Sequence, residues 1–224
     1  MSGEVSYKGS EFVFQRGFYL LELTGKRADN LKEFLKCVKT VDDESIFYHV
    51  YHTLRQHYSI IPDYSNDFAH WLKKDLHEDV LAERFTYVRI SEYGDIKAVR
   101  GRFIEILKKR LEDRANDSPK VPEERAFHFV RAKAIALPTK YRAKNLEEFV
   151  EYLEKVDRET LFYHFFSARL KFSESKKKHA DDFSRWIDEI GHPAIASRIT
   201  ALNPYGYTLE GIRKEIAEII RGEK

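Results

Sequence analysis

The chain of 224 residues carries 39 basic and 37 acidic residues, so its formal net charge is only +2. With 42% hydrophobic and 14% aromatic residues it can bury a full core, which excludes disorder over most of its length. Cys37 is the single cysteine, so an intrachain disulfide and a zinc site built from several thiolates are excluded as well. The balanced charge also falls short of the basic character expected of a dedicated nucleic-acid-binding domain.

Neither a secretion signal nor a membrane span is apparent in the sequence. The first residues are polar and lack the apolar core of a signal peptide. No apolar run is long enough to cross a bilayer. We therefore expect a cytoplasmic protein without membrane contact. The abundance of Lys, Arg and Glu is typical of heat-adapted proteins and predicts thermostability.

Two stretches of the chain resemble each other. When 12–71 is laid over 127–186 without a gap, 19 of the 60 aligned pairs are identical. We interpret this match as a tandem duplication. The predicted domains are a helical module at 12–115, a linker at 116–124 and a second helical module at 125–222, because the linker holds two prolines among small polar residues.

Each module is predicted to begin with a short apolar strand, at 18–23 and at 132–137, and to continue with about five helices. The first helix would begin after Asn30 or Asn145, since a glutamate follows three residues later and the pair can satisfy free N–H groups. The expected fold class is mainly α, a tandem duplication in which the two strands pair across a pseudo-twofold axis. Later helices of the first module are predicted near Asp42, near Asp67, over 80–87 and from Asp95 to Leu111.

Both copies keep the triplet Phe-Tyr-His, at 47–49 and at 162–164. Tyr48 and His49 could act as acid and base, because imidazole titrates near neutrality. The alternative is that both rings are core or subunit-contact residues whose polar tips are hydrogen-bonded. An enzyme that uses Tyr48 and His49 is therefore one hypothesis.

His49 and His52 are weak candidates for a metal site. They lie three residues apart on a predicted helix, so both can face one point. Against this, Ser167 stands at the position that matches His52, and no His-Glu-x-x-His motif is present. We therefore expect no metal and no cofactor.

Loops are predicted at 24–29 and 139–144, before the first helix of each module. Their basic residues are candidates for binding a phosphate or a nucleic acid. They are Lys26 and Arg27 in the first copy, and Lys140, Arg142 and Lys144 in the second. Free N–H groups and the helix dipole favour an anion at such a position. The competing interpretation is that Arg27 pairs with an acidic residue of its own module.

Four motifs occur in order along the first copy: Asn30-Leu-x-Glu-Phe34, Ile46-Phe-Tyr-His49, Asn66-Asp-Phe-Ala-x-Trp71 and Leu81-Ala-Glu-Arg84. Together they resemble a prokaryotic family known only as a domain of unknown function. The second copy departs from the pattern at Asp181 and Ser184. The resemblance implies the module boundary and implies no activity.

Three functional hypotheses follow. The first is a non-catalytic binding or regulatory protein that acts through the duplicated helical module, because most matched identities are helix caps and core aromatics. Its partner would be a protein or a ribonucleoprotein, with a homodimer as a further alternative. The second is an RNA- or ribosome-associated factor that binds through the basic residues, and the third is the enzyme described above.

Overall fold

The computed structural model describes residues 11–56, 66–88, 95–114, 118–168, 179, 181–203 and 206–222. These residues divide into two compact units. The central unit contains 19–133, and the terminal unit combines the chain before residue 19 with the chain after residue 133. No helix in these ranges is long and apolar enough to cross a membrane.

Two strands of 17 residues, β1 (Phe12–Ala28) and β2 (Phe127–Ala143), form a two-stranded sheet. Side-chain contacts in the central unit show their relative direction. Arg131 lies 2.8 Å from Glu22, and the Thr24 hydroxyl donates to the backbone oxygen of Phe129 at 2.8 Å. Residue numbers rise along β1 as they fall along β2, so the strands are antiparallel.

The predicted fold class was wrong about the strands, which are long and prominent instead of short. Polar residues at 24–28 and 139–143 suggested loops. A strand residue needs only a backbone partner across the sheet, so pairing extends both strands beyond their apolar stretches. The structure does not demonstrate the duplication, because each unit combines strand segments from both predicted copies. The predicted domain boundaries stay a prediction.

The helices of the central unit begin where local capping predicts. The Asn30 side chain accepts the N–H of Glu33 at 3.0 Å, and the Asp42 carboxylate accepts the N–H of Ser45 at 2.8 Å. Asn66 caps the third helix in the same way. The helices are α1 (Leu31–Thr40), α2 (Asp43–Gln56), α3 (Asp67–Lys74), α4 (Asp79–Thr86) and α5 (Ile96–Asp113), and a 3-10 turn (Glu123–Arg125) precedes β2.

The described part of the terminal unit holds five further helices. Asn145 caps the first by accepting the N–H of Glu148 at 2.9 Å, as its spacing predicts. The second continues into a π-helical turn (Tyr163–Ser167), a form that holds an extra residue per turn. The helices are α6 (Leu146–Lys155), α7 (Arg158–Phe162), α8 (Asp182–Glu189), α9 (Pro193–Thr200) and α10 (Leu209–Arg221).

Each strand contributes two phenylalanines to the core of one unit. Phe127 and Phe129 of β2 are buried in the central unit, and Phe12 and Phe14 of β1 are buried in the terminal unit. Residues two apart on a strand face the same side, so both members of each pair reach the helices. They contact helix aromatics: Phe34, Phe68 and Trp71 in the central unit, and Phe149, Phe183 and Trp186 in the terminal unit.

Candidate functional site

His49 connects three elements of the central unit. Its Nδ1 lies 3.0 Å from Oδ2 of Asp67, the first residue of α3. Its Nε2 accepts the backbone N–H of Val130 on β2 at 2.9 Å. An amide N–H can only donate, so Nε2 must present its lone pair. We therefore assign the ring proton to Nδ1, which donates to Asp67.

The terminal unit contains the same arrangement around His164, which lies in the π-helical turn. Its Nδ1 lies 2.9 Å from Oδ2 of Asp182, and its Nε2 accepts the backbone N–H of Gln15 on β1 at 2.7 Å. Arg185 donates to the other carboxylate oxygen of Asp182 at 3.0 Å. We call the two arrangements, Asp67–His49–Val130 and Asp182–His164–Gln15, the histidine clamps, because each ties a strand to the helices of one unit.

The burial and the hydrogen bonds of the clamp histidines are relevant to the predicted acid–base pair, Tyr48 and His49. His49 is 4% exposed and His164 is fully buried. A general base must offer its lone pair to a substrate, whereas the lone pair of His49 already accepts a strand N–H. The Tyr48 ring lies edge-on to His49, with centroids 5.0 Å apart. The geometry gives His49 a structural role, and catalysis by Tyr48 and His49 stays a prediction without geometric support.

The basic residues predicted to bind an anion in the first copy lie within β1. Arg27 pairs with Glu123, and Lys26 donates to the backbone oxygen of Thr40. The hydrogen bond between Arg27 and Glu123 raises the pKa of Arg27 and lowers the pKa of Glu123. Arg27 thus pairs with an acidic residue, but this residue lies in the predicted linker and not in the predicted first module.

The basic residues of the second copy lie in β2 or directly after it, and they belong to the terminal unit. Arg142 lies 3.7 Å from Glu11. The Lys140 ammonium lies 5.3 Å from the ring centroid of Tyr141, within range of a cation–π contact. Lys144 is exposed, and its backbone N–H donates to the Glu148 carboxylate at 2.9 Å. An anion would have to compete with these contacts, and the anion site stays a prediction.

The predicted metal ligands are not brought together by the described geometry. His49 faces Asp67 and Val130, and the side chain of His52 lies outside the described residues. In the ranges that the structure describes, no group of three or more His, Cys, Asp or Glu residues could hold a metal ion.

Two arginines, Arg100, which is partly buried, and Arg213, which is buried, close the ends of helices. Arg100 of α5 donates through Nη1 to the backbone oxygens of Val38 and Val41, both at 2.7 Å. Arg213 of α10 donates to the backbone oxygen of Val156 at 2.9 Å. These carbonyls lie at helix C-termini, where no intrahelical partner is available. The arginines therefore stabilise the ends of α1 and α6.

A second buried histidine of the terminal unit, His179, was also missed. Its Nε2 lies 2.9 Å from Oδ2 of Asp188 on α8, and its Nδ1 lies 3.1 Å from the hydroxyl of Thr200 at the end of α9. These partners are 9 and 21 residues away along the chain. No local pattern could have found them, because only the packing of α8 and α9 brings them together.

The strands expose large apolar side chains. Six residues of β1 and β2, with exposed fractions between 44% and 70%, form what we call the apolar strand residues: Phe18, Leu20, Leu21, Leu23, Ile135 and Leu137. Four of them lie in one continuous stretch of β1, Phe18–Leu23. Exposed apolar residues scattered singly are common, whereas these four are close together along one strand.

Comparison with known proteins agrees with the motif resemblance. The sequence profile of the Family of unknown function (DUF5752) matches residues 9–221. The chain belongs to this family. The solved structure of OrfY from Thermoproteus tenax is similar, with a TM-score of 0.81, 27% sequence identity and coverage of 95% of each chain. No curated protein matches the chain.

Membership of DUF5752 supports the resemblance found in the motifs and leaves the chemistry open. The profile matches one continuous region instead of two copies. Three motif residues now have a physical explanation: Asn30 and Asn66 cap helices, and His49 forms a clamp. These three motif residues therefore contribute to the fold.

Proposed function

We propose that this protein is a non-catalytic binding or regulatory protein that contacts a protein partner through Leu20, Leu21 and Leu23, the apolar strand residues of the central unit. The observation that carries the proposal is the exposure of these three side chains within one short stretch of β1. Covering apolar surface contributes about 25 cal/mol per Å². A partner with a complementary apolar surface would therefore gain free energy at this stretch.

The histidine clamps support a non-catalytic role. Histidine is the residue type best suited to acid–base chemistry, and both His49 and His164 are buried. Both ring nitrogens of each form hydrogen bonds within the fold. Their task is to position the strands, and β1 in turn presents its apolar side chains. The histidines that resemble catalytic residues in the sequence thus hold the strand that carries the proposed binding surface in place.

The alternative of RNA binding draws less support from the same contacts. Arg27 and Arg142 face Glu123 and Glu11, so a phosphate would have to displace a carboxylate at each position. Nucleic-acid affinity arises mainly from basic side chains that neutralise phosphates, and it falls steeply with added salt. RNA binding is therefore kept as an outcome of the test.

The test is affinity capture by the immobilised full chain from lysate of its own source, with and without nuclease. The wild type is compared with the double variant Leu20→Lys/Leu23→Lys, and with Val80→Lys as a control at an exposed apolar position of α4. We expect proteins that wild type and control retain, that the double variant loses, and that nuclease does not release. Equal retention by all three proteins would reject the proposal, and loss on nuclease treatment would favour the RNA alternative.

A further inference from the structure

His179 of the terminal unit accepts a hydrogen bond from a hydroxyl group, whereas the clamp histidines accept one from a backbone amide. Its Nε2 lies 2.9 Å from Oδ2 of Asp188, and its Nδ1 lies 3.1 Å from the hydroxyl oxygen of Thr200. A carboxylate can only accept, so we assign the ring proton to Nε2 and the lone pair to Nδ1. The Thr200 hydroxyl therefore donates its proton to Nδ1.

A hydroxyl, an imidazole and a carboxylate joined in this order form the arrangement that activates an oxygen nucleophile. The carboxylate fixes the tautomer and stabilises the imidazolium that forms, and the imidazole takes the proton as the oxygen attacks. Both distances lie within the range of a hydrogen bond. The amide that donates to His49 or His164 offers no such oxygen, so this chemistry belongs to His179 alone among these three histidines.

Burial separates the base from the group that would react. His179 is 6% exposed, and the side chain of Asp188 is 26% exposed. Thr200, the last residue of α9, is half-buried and more exposed than His179. A reagent from solvent therefore reaches Thr200 more readily than it reaches the imidazole behind it.

The position of Thr200 at the end of α9 limits what the activated hydroxyl can do. The last turn of a helix leaves carbonyl oxygens, and not N–H groups, without intrahelical partners. An ester bound there would place the oxyanion of its tetrahedral intermediate beside carbonyl dipoles. A single oxyanion donor contributes about 10²- to 10³-fold to the rate of an enzyme. We therefore expect transfer from an activated donor to Thr200, and not efficient ester hydrolysis.

We propose that Thr200 is an acyl-acceptor site, activated by His179 and Asp188, which takes an acyl group from an activated donor such as a thioester or an acyl phosphate. Oγ1 of Thr200 forms a bond to the carbonyl carbon, and the bond from that carbon to the leaving group breaks. The hydroxyl proton passes through Nδ1 of His179 to the leaving group. The acylated oxygen can no longer donate to His179, so the modification removes this link between His179 and the end of α9. The inference goes beyond the proposed function and uses none of its residues.

The test uses p-nitrophenyl acetate, an activated acetyl donor, on the full-length protein. The rate of acetylation at each residue is followed by mass spectrometry with peptide fragmentation. Ser197 is the matched internal control, because it is exposed on the same helix and its primary hydroxyl is less hindered. Its hydroxyl donates to the backbone oxygen of Pro193 at 2.8 Å, and not to a histidine. We expect Thr200 to be acetylated at least about tenfold faster than Ser197 in the folded protein.

Variants assign the rate to the three side chains. Asp188→Asn has the same size but lacks the carboxylate, and it should slow the acetylation of Thr200 at least about tenfold. Thr200→Ser keeps the hydroxyl and should be acetylated at least as fast as the wild type. Thr200→Val keeps the shape and should show no acetylation at residue 200. Thermal melting of each variant establishes that it is folded.

Urea-unfolded wild type supplies a comparison that does not depend on the folding of a variant. The hydrogen bonds of His179 are lost there, so the less hindered Ser197 should react faster than Thr200. The inference is overturned if Ser197 also reacts faster in the folded wild type, or if a folded Asp188→Asn variant acetylates Thr200 as fast as the wild type. Neither result affects the capture of a partner by Leu20, Leu21 and Leu23, so the proposed function succeeds or fails separately.

Discussion

The Nε2 atom of His49 accepts the backbone N–H of Val130 at 2.9 Å, so a helix side chain completes the hydrogen bonding of a strand. Asp67 accepts from the opposite side of the same ring and selects the tautomer in which Nε2 is the acceptor. The strand and the two helices are thereby tied through one residue. His164 does the same for Gln15 in the terminal unit.

Replacing His49 by Phe should lower the free energy of unfolding by about 2 kcal/mol. The phenyl ring fills most of the space, but it leaves the buried N–H of Val130 without an acceptor. Urea unfolding followed by circular dichroism measures the loss. His128→Ala, at an exposed position of β2, is the control and should leave the stability unchanged. If His49→Phe were as stable as the wild type, the clamp would have no role in stability.

Phe14 and Phe18 offer a matched pair on one strand. They are four residues apart and face the same side of β1, but Phe14 is fully buried while Phe18 is 44% exposed. Phe14→Ala should lower the free energy of unfolding by about 3 to 5 kcal/mol, because it leaves a cavity in the core. Phe18→Ala should cost less than about 1 kcal/mol. Thermal unfolding compares them, and similar losses would show that Phe18 is packed and unavailable to a partner.

Glu78 and Arg110 form an ion pair in which each side chain is only about a tenth exposed. Arg110 Nε donates to Glu78 Oε2 at 2.8 Å, and a second contact joins Nη2 to Oε1. Glu78→Ala should therefore cost about 3 kcal/mol, because it leaves a buried guanidinium without its carboxylate. The double variant Glu78→Leu/Arg110→Met should lose less free energy of unfolding than the sum of the losses of Glu78→Leu and Arg110→Met measured separately. Additive losses in denaturant unfolding would contradict this coupling.

Cys37 should react slowly in the folded protein. Burial raises the pKa of its thiol, so less thiolate is present at any given pH. The thiolate is the form that reacts with an alkylating reagent. Cys37 is only 7% exposed, so the surrounding residues also limit the access of the reagent. Alkylation by iodoacetamide at about pH 8 should be at least about tenfold slower than in the urea-unfolded chain. Equal rates in both states would show that α1 opens readily around this residue.

Features that depend on residues close together in the chain could be predicted from the sequence. Asn30 and Glu33 are three residues apart, and their capping contact forms as their spacing predicts. The same holds for Asn145 and Glu148. A cap is a contact within one helical turn, so residue types and spacing suffice to specify it. The family could also be identified, because its motifs are runs of such local contacts and of core aromatics.

The ends of the strands and the contacts of their side chains depend on residues far apart in the chain, so they could not be predicted from the sequence. Backbone pairing across the sheet turns the polar residues at 24–28 into strand, although their side chains suggested a loop. The two partners of His49 lie 18 and 81 residues away, so no local pattern could show that His49 forms a clamp. An apolar run such as Phe18–Leu23 looks the same in sequence whether helices cover it or solvent reaches it. Its exposure follows from the packing of distant elements, which no local pattern encodes.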